Sequence, residues 1–536
     1  MKSMHWLKAA GLGLIAGLAA TAVLVLTFAV MRTWLGISPP PEAIPDRLAP
    51  TLDISTFFSL FGRFGGYNGL KKLGIQGGLA GLIAVGALVG IIYSVLTASP
   101  RARAAGSWRG WSRLGLGFVV ATALILWVAM LIVLWPVLGA NYRGVPPSQA
   151  QFVTAAGYLV AFALYGLVLV LVHRWLVPPL LATAPGLPFA TGAPVGRRAV
   201  VAGAATAALA VPSFALIRRL YDRATFSYDG TPYSGPGVEP IAPNDAFYTV
   251  TKNVADPNVN RGVWGLQVDG LVERPHQYGF EELAALAATE QETTLMCISN
   301  QIGAGLFSNA IWTGVPLRDL LEAARPADTA VEVLLYAADG YTDTFSIEKA
   351  MDPTTLVAVA MNGEPLPQRH GYPARVVVPG LFGEKNVKWV TRITVVDYDA
   401  KGFYEQQGWG PNFEVPTRSD IFGPRWRRAG GDAFVDSFAA NEVATIRGRA
   451  FAGARGVQSV EFSADDGETW QPAAIDYPGT DLTWSFWSVA WRPAEAGEFI
   501  LLSRATDGTG AVQSGEQRSI VPQGATGYHR VRATVV

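Results

Sequence analysis

The first 220 residues contain five long runs of apolar residues without a single charge, and these runs limit what this part of the chain can become. A helix needs about 20 apolar residues to cross the hydrocarbon core of a bilayer. A buried helix of a soluble protein seldom stays free of charge over that length, so the runs predict membrane spans. The five predicted spans are Ala9–Val30, Gly77–Ala98, Leu114–Ala140, Phe152–Val172 and Ala199–Ile217.

Basic residues in the loops between these runs predict the orientation of the spans, because Lys and Arg accumulate in cytoplasmic loops. The loop after the second run carries Arg101, Arg103, Arg109 and Arg113, whereas the loop between the third and fourth runs carries only Arg143. The N-terminus is therefore predicted to lie in the cytoplasm. Everything after the fifth run is predicted to lie outside the membrane, in the periplasm or at the cell surface.

The pair Arg197 and Arg198, directly before the fifth run, fits two interpretations. Paired arginines beside a helix are usually topology anchors. The same pair followed by an Ala-rich apolar run also resembles a twin-arginine export signal, here inside the chain. Both interpretations place the C-terminal region on the outer side, and the sequence leaves the choice open.

Composition separates an apolar part of the chain from a polar one. Lys and Arg together number 42, Asp and Glu number 42, and charged residues are only 16% of the chain. Zero formal charge argues against nucleic acid as a partner, since phosphate binding needs a basic surplus. We predict a five-helix transmembrane anchor at 1–220, a linker at 221–241, and two extracytoplasmic domains at 242–430 and 431–536.

Two strand patterns distinguish the two soluble domains. In the first, strands and short helices alternate without a regular period, as at Val263–Gly270 and Glu281–Leu286, which predicts an α+β fold. In the second, closely spaced alternating strands such as Thr445–Phe451 and Trp484–Trp491 predict an immunoglobulin-like β-sandwich.

The chain has a single cysteine, Cys297. One cysteine cannot form an internal disulfide, a Cys-rich zinc or iron–sulfur site, or a c-type haem attachment. A lone cysteine is often a small buried hydrophobe, so any chemistry at Cys297 must be carried by one thiol. Only one of the five histidines, His173, lies near a predicted span. We therefore predict an anchor without haem and a separate electron-transfer partner, a cytochrome or another membrane redox protein.

The segment Cys297–Leu321, which begins Cys-Ile-Ser-Asn-Gln, resembles the molybdenum-cysteine segment of the sulfite oxidase family. Three further pieces, His370–Arg375, Val378–Gly380 and Asn386–Trp389, match the same family. Asn244–Val250 resembles the family's opening cofactor-contacting motif, although the family often has Asn two residues before the aromatic pair Phe-Tyr and the spacing here is one residue longer. In that family one cysteine thiolate is the protein ligand of a molybdenum atom otherwise held by a pterin dithiolene. The resemblance implies that Cys297 is the catalytic metal ligand and that the cofactor is molybdenum–molybdopterin.

The resemblance also implies which residues contact the pterin. Arg375 and Lys388 would face its phosphate, because a phosphate calls for a planar bidentate cation and a second cation. For Asp339 two interpretations are open, a pterin contact and an aspartate exposed to solvent in a turn. The implied cofactor contacts are Asn244, Tyr248, Thr249, Asp339, His370, Arg375, Asn386, Val387 and Lys388.

These observations predict a membrane-anchored, extracytoplasmic oxidoreductase that moves an oxygen atom between water and a small substrate. The alternative is a non-catalytic membrane receptor or complex subunit that keeps the fold without the metal. Sulfite oxidases usually place arginines soon after the cysteine, whereas this chain has Ser299, Asn300 and Gln301. A neutral or weakly charged substrate such as a sulfoxide is therefore predicted, unless Arg425 or Arg427 folds into the pocket. The C-terminal domain resembles one that often makes dimers, which implies a homodimer.

Overall fold

The computed structural model describes residues 2–64, 67–97, 113–176, 194–222, 232–235, 237–252, 256–423, 426–429 and 432–536. Some predictions fall outside these ranges. They concern Arg101, Arg103 and Arg109 of the predicted cytoplasmic loop, residues 223–231 and 236 of the predicted linker, and Arg425.

The N-terminal part consists, within the described residues, of helices joined by loops. Its helices are α1 (Lys2–Trp34), α2 (Pro40–Leu48), α3 (Ile54–Arg63), α4 (Tyr67–Thr97), α5 (Arg113–Leu134), α6 (Pro147–Leu176) and α7 (Pro194–Asp222). By length and composition, five of them could cross a membrane, namely α1, α4, α5, α6 and α7. Each of the five predicted apolar runs begins on one of these helices, and the third run, Leu114–Ala140, extends past the end of α5 at Leu134.

Glycines allow α1 and α4 to pack backbone against backbone. A Cβ atom added to Gly90 would lie 2.4 Å from the carbonyl oxygen of Gly13, and one added to Gly17 would lie 2.7 Å from that of Gly86. Small residues at such crossings let helices approach closely in an apolar medium, where dispersion contacts rather than hydrophobic burial hold them together.

The first soluble domain contains two sheets and three short helices. One sheet has the strand order β2-β1-β10-β5-β6, and the other has β3-β4-β7-β8 with β9 paired to β7. Strands β1 and β10 are parallel, whereas the remaining neighbours are antiparallel, so the domain is the α+β type that the sequence predicts. The strands are β1 (Gly265–Gly270), β2 (His276–Gly279), β3 (Thr289–Met296), β4 (Phe307–Pro316), β5 (Glu332–Ala337), β6 (Thr342–Ser346), β7 (Leu356–Met361), β8 (Glu364–Pro365), β9 (Arg375–Val377) and β10 (Val390–Val396), and the helices are α8 (Phe280–Leu286), α9 (Leu317–Ala324) and α10 (Ile347–Ala350).

The hairpin of β3 and β4 positions the cysteine. The two strands pair from Thr289 opposite Gly314 to Met296 opposite Phe307, and Cys297 follows directly. The backbone N–H of Cys297 still donates to the carbonyl of Leu306, at 3.0 Å. The ordered hairpin therefore fixes the Cys297 backbone, while the loop up to Leu306 is free to form a wall of a site.

The second soluble part consists of two facing sheets, ordered β11-β14-β18-β17 and β12-β13-β20-β19-β15-β16. Side chains from both sheets share one core, including Ile446, Trp487, Phe462 and Leu501. Because β11 pairs with β14, this part begins at Arg418 rather than at residue 431. The strands are β11 (Arg418–Gly423), β12 (Trp426–Ala429), β13 (Asp432–Phe438), β14 (Ala444–Phe451), β15 (Val457–Ser463), β16 (Gln471–Pro472), β17 (Ala474–Tyr477), β18 (Ser485–Trp491), β19 (Gly497–Asp507) and β20 (His529–Val535).

Candidate active site

A pocket in the first soluble domain brings most of the predicted site residues together. It contains about 830 Å³ of space not filled by protein atoms. Its walls come from the segment 247–252, the loop after β3, the turn 339–341, and the loop between β9 and β10. Nine of the ten predicted residues line it, namely Tyr248, Thr249, Cys297, Asp339, His370, Arg375, Asn386, Val387 and Lys388.

Cys297 lies in the wall of this pocket with its thiol shielded from solvent. Its Sγ lies 3.1 Å from the hydroxyl oxygen of Ser299, which also lines the pocket. Burial raises the pKa of the Cys297 thiol to about 11, so the ionised thiol is disfavoured at neutral pH unless a cation compensates its charge. A bound metal ion is such a cation. Within the described residues, no group of three or more His, Cys, Asp or Glu side chains could hold a metal ion by itself.

The three polar residues after Cys297 do different things. Only Ser299 lines the pocket. The side-chain oxygen of Asn300 accepts from the backbone N–H of Leu306 at 2.9 Å. The backbone N–H of Asn300 donates to the carbonyl of Cys297 at 3.0 Å. The carbonyl of Gln301 accepts from Arg418 at 3.1 Å. Asn300 and Gln301 therefore shape the loop and do not face a substrate.

His370 and Arg375 form one buried network. The Nε2–H of His370 donates to the carbonyl of Asn244 at 2.7 Å. Arg375 donates to the carbonyls of His370 and Asn386, both at 3.1 Å, and its guanidinium lies 4.8 Å from the ring of Trp312. Burial lowers the pKa of His370 to about 3 and that of Arg375 to about 10, so at neutral pH the imidazole is neutral and the guanidinium charged.

Lys388 points its ammonium group into the same region. Its Nζ donates to the carbonyls of Val250 at 3.0 Å and Arg369 at 3.1 Å, and lies 4.3 Å from the ring centre of Trp389. Burial lowers the pKa of Lys388 to about 8. Next to Lys388, the backbone carbonyl of Val387 accepts a hydrogen bond from the backbone N–H of Val376 at 2.8 Å. Lys388 keeps its charge at neutral pH and can serve an anion.

The loop between β9 and β10 needs a glycine to close against the cysteine strand. A Cβ atom at Gly383 would lie 2.3 Å from the hydroxyl oxygen of Tyr248 and 3.2 Å from the carbonyl oxygen of Met296. The side chain of Asn386 holds the same loop, because its oxygen accepts from the N–H of Val378 at 2.6 Å and its Nδ2 donates to the carbonyl of Phe382 at 3.1 Å.

One predicted contact lies outside the pocket lining. The side-chain oxygen of Asn244 accepts from Asn362 at 2.8 Å, and its Nδ2 donates to Glu364 at 3.2 Å. Asn244 touches the site only through its backbone carbonyl, which holds His370. The Asn244 amide therefore lies outside the pocket lining, at the position where the spacing before Phe247 and Tyr248 differs from the family's by one residue.

Sequence reasoning missed several lining residues, including Thr251, Lys252, Tyr341, Glu384 and Trp409. Lys252 follows the matched aromatic pair by four residues, and Glu384 precedes the matched Asn386 by two. Their proximity to matched motifs was the one available signal. Neither residue type carried a pattern of its own.

The residues present fit a phosphate-bearing, hydrogen-bonding ligand. Among the described lining residues, Lys252, Arg375 and Lys388 provide three cationic side chains around one cavity. Two buried polar atoms, Arg375 Nε and Thr251 Oγ1, have no hydrogen-bond partner within the described chain, which points to a ligand that would satisfy them. A cation-rich pocket with a single thiol among its described lining residues fits a pterin site of the molybdenum oxidoreductase class.

Comparison with known proteins identifies the family. Residues 253–404 match the oxidoreductase molybdopterin binding domain, and residues 418–536 match the Mo-co oxidoreductase dimerisation domain. The chain belongs to the sulfite oxidase family of molybdopterin-dependent oxidoreductases. The family prediction from the cysteine segment is thereby confirmed.

Individual relatives share part of this chain. Mitochondrial sulfite oxidase of Mus musculus is 32% identical over 321 residues, covering 51% of this chain and 57% of that protein. An NADH nitrate reductase of Hordeum vulgare is 30% identical over 308 residues, covering 46% and 33%. The sulfane dehydrogenase SoxCD of Paracoccus pantotrophus is 25% identical, with a TM-score of 0.45 over 52% of this chain and 75% of that one. The chain thus spans about a third to just over half the length of these two sequence relatives.

Proposed function

We propose that this protein is a membrane-anchored molybdenum cofactor oxidoreductase that transfers an oxygen atom to or from a small extracytoplasmic substrate. The observation that carries this proposal is the position of Cys297, which lines the same pocket as Lys252, Arg375 and Lys388. When bound, the cofactor supplies a two-electron change at molybdenum, which balances the movement of one oxygen atom between water and substrate.

The chain itself supplies binding, orientation and exclusion of water. Arg375 and Lys388 would hold the phosphate-bearing pterin, with Lys252 as a third cation. Cys297 would be the protein ligand of the metal. His370 is neutral and buried, so its role is to fix the turn through Asn244 and to leave the charge to the cations.

The membrane anchor and its orientation are supported by how the loops meet the soluble domain. Helix α5 exposes large apolar side chains, among them Ile125 and Ile132, that lipid would cover. The loop between α5 and α6 is predicted to be extracytoplasmic, and its Arg143 contacts Asn258 and Asn260 of the oxidoreductase domain. A loop on the opposite side of a bilayer could not make these contacts, which favours an extracytoplasmic domain.

The proposed assembly includes a second copy of the chain and a redox partner. The match of residues 418–536 to a dimerisation domain supports a homodimer formed through this domain. For its two facing sheets we propose the immunoglobulin-like type. The single cysteine and the few histidines support electron exchange with a separate cytochrome or membrane redox protein. A haem or iron–sulfur spectrum intrinsic to the purified chain would contradict this.

The substrate is proposed to be neutral or weakly charged, because the three residues after Cys297 include no arginine and the one arginine among the described lining residues, Arg375, is assigned to the pterin phosphate. Two more arginines approach the cysteine loop, but neither lines the pocket, and each donates to other residues while its buried Nε has no hydrogen-bond partner among the described residues. Arg418 pairs with Asp420 at 3.1 Å and holds Gln301, and Arg449 donates to the carbonyls of Tyr233 and Ala304. The Arg427 side chain lies outside the described part of the chain.

Glu384 adds an acidic group to the same pocket. Both of its carboxyl oxygens are shielded from solvent and lack a hydrogen-bond partner among the described residues. Burial raises the pKa of Glu384 well above its usual range, and the neighbouring Asp343 raises it further. This shift favours the protonated carboxyl, which bears no positive charge and has a single O–H to donate, so Glu384 cannot replace the two charge-assisted hydrogen bonds by which an arginine would hold an anion such as sulfite.

We expect this protein to use sulfite poorly and a neutral sulfoxide well. Two charge-assisted hydrogen bonds from a guanidinium contribute on the order of 3 kcal/mol, so their absence corresponds to roughly a 100-fold lower kcat/KM for sulfite. Steady-state assays with artificial electron donors and acceptors measure both substrates. Glu384→Gln keeps both the size and the neutral state that burial favours, so it is expected to leave the difference between the two substrates largely unchanged. Efficient sulfite oxidation at micromolar concentration would overturn the substrate assignment.

A further inference from the structure

The anchor and the oxidoreductase domain meet directly at the pocket. Asp46, on helix α2 between the first two predicted spans, places its Oδ1 3.0 Å from the Nζ of Lys252. Lys252 lines the pocket and its side chain is only 3% exposed. A residue of the anchor thus fixes a cation of the cofactor pocket, although the two are more than 200 positions apart in the chain.

Helix α2 is itself tied to the first predicted span. Glu42 accepts from the Nε of Arg32, near the end of α1, at 2.7 Å. The guanidinium of Arg32 also lies 3.3 Å from the ring centre of Tyr142. Glu42 and Asp46 are four residues apart, which places them on the same side of a helix. Glu42 of α2 therefore binds Arg32 of α1, while Asp46 of α2 binds Lys252 of the pocket.

On its other side, Lys252 lies close to Asp339, which also lines the pocket. Burial raises the pKa of Asp339, and the charge of Lys252 opposes this rise. The ammonium of Lys252 also lies 4.8 Å from the ring centre of Phe403. Lys252 thus contacts the domain through Phe403 and the anchor through Asp46, so the anchor contributes to its position.

We propose that α2 supports the cofactor pocket from outside its lining, with Asp46 as a positioning residue for Lys252. Docking of the anchor and retention of the cofactor are thereby coupled. This inference rests on the proposed function for the identity of the ligand, a phosphate-bearing pterin. Without Asp46, the buried ammonium of Lys252 would lose its 3.0 Å ion pair to the anchor and keep only its contacts within the domain, so it would be displaced from its present position. The pocket would then lose one cation and the contact that closes it against the anchor.

The test compares full-length variants that retain the cofactor during purification. Asp46→Asn is expected to release pterin and molybdenum at least tenfold faster than the unmodified protein, at a temperature where circular dichroism shows an intact fold. Asp46→Glu, which restores the carboxylate, should recover much of the retention. In a Lys252→Met background, Asp46→Asn should add little, because the two residues act through one contact.

A matched control comes from the same junction. Ser148 of α6 donates to Gln267 at 3.0 Å, and neither residue lines the pocket. Ser148→Ala removes one hydrogen bond between anchor and domain without touching Lys252, and it is expected to leave cofactor release unchanged. Equal acceleration by Ser148→Ala and Asp46→Asn would overturn the specific role of Asp46.

Hydrogen exchange separates a failure of this inference from a failure of the proposed function. Asp46→Asn is expected to speed amide exchange in peptides covering 247–252 and 337–343, whether or not the cofactor is bound. Unchanged exchange would overturn the proposal that α2 supports the pocket. Faster exchange with unchanged cofactor release would overturn the coupling while the oxidoreductase assignment stands. Unmodified protein without pterin or molybdenum would overturn the proposed function and the coupling, and exchange alone would then report on the junction.

Discussion

Cys297→Ser is expected to abolish oxygen-atom transfer while leaving the protein folded. Serine is close in size to cysteine, and the backbone bond from residue 297 to Leu306 remains. Burying a hydroxyl in place of the thiol costs about 1–3 kcal/mol, which a folded domain of this size tolerates. Turnover with an artificial electron donor and the paramagnetic spectrum of molybdenum, both per folded molecule, measure the effect.

The contrasting view of Cys297 is that of a small buried hydrophobe. That view predicts a modest loss of stability and full activity in the molecules that remain folded. Ser299→Ala is the matched control, because it removes the hydroxyl 3.1 Å from Sγ and leaves the thiol in place. An unchanged spectrum and undiminished turnover in Cys297→Ser would end the assignment of a cysteine-ligated metal.

Lys385→Met is expected to lower the free energy of unfolding by about 3–5 kcal/mol at neutral pH. The Nζ of Lys385 lies 2.7 Å from Asp343 and 3.2 Å from Glu405, and the Lys385 and Asp343 side chains are only 3% and 2% exposed. Removing the ammonium leaves buried carboxylates without their cation. Denaturant unfolding of the full chain in detergent measures the change.

The effect of Lys385→Met should depend on pH in a defined direction. Burial already raises the pKa of Asp343, and the ammonium of Lys385 opposes that rise. Without the ammonium the folded-state pKa rises further, so the variant loses stability as pH increases from the unfolded-state value of the carboxyl through the folded-state value. The difference from the unmodified protein is therefore expected to shrink as the solution is acidified.

An exposed ion pair provides the control for this prediction. Lys401 pairs with Asp399 at 2.7 Å, but their side chains are 51% and 71% exposed. Solvent screens such a pair, so Lys401→Met is expected to change the free energy of unfolding by less than about 1 kcal/mol. Equal effects of Lys385→Met and Lys401→Met would contradict the role of the buried cluster.

Parts of the site that are contiguous in sequence could be predicted before the structure was known. Cys297, His370, Arg375 and the Asn386–Lys388 piece lie in short motifs whose turns fix the side chains locally, and all of them line the pocket. Asn244 could not be placed, since its position depends on a long-range contact with Asn362. In this chain the spacing between Asn244 and the pair Phe247 and Tyr248 is one residue longer than is usual in the family, and the backbone carbonyl of Asn244, rather than its side chain, contacts the site through His370.

The fold shows the same division between local and long-range information. The five apolar runs could be predicted because a bilayer sets a minimum helix length. The segment between the first two runs could not, since α2 is short, contains Pro45 and is held by contacts with Arg32 and Lys252 rather than by its own periodicity. The pairing of β11 with β14 likewise depends on a partner strand, so the start of the last domain was placed too late.

The central claim is that this chain holds one molybdenum–pterin cofactor through Cys297. The most direct measurement is the molybdenum and pterin content of the purified full-length protein after expression in cells that make the cofactor. We expect close to one molybdenum and one pterin per folded chain. A folded protein that contains neither would contradict the account and would favour a receptor or complex subunit that keeps the fold without the metal.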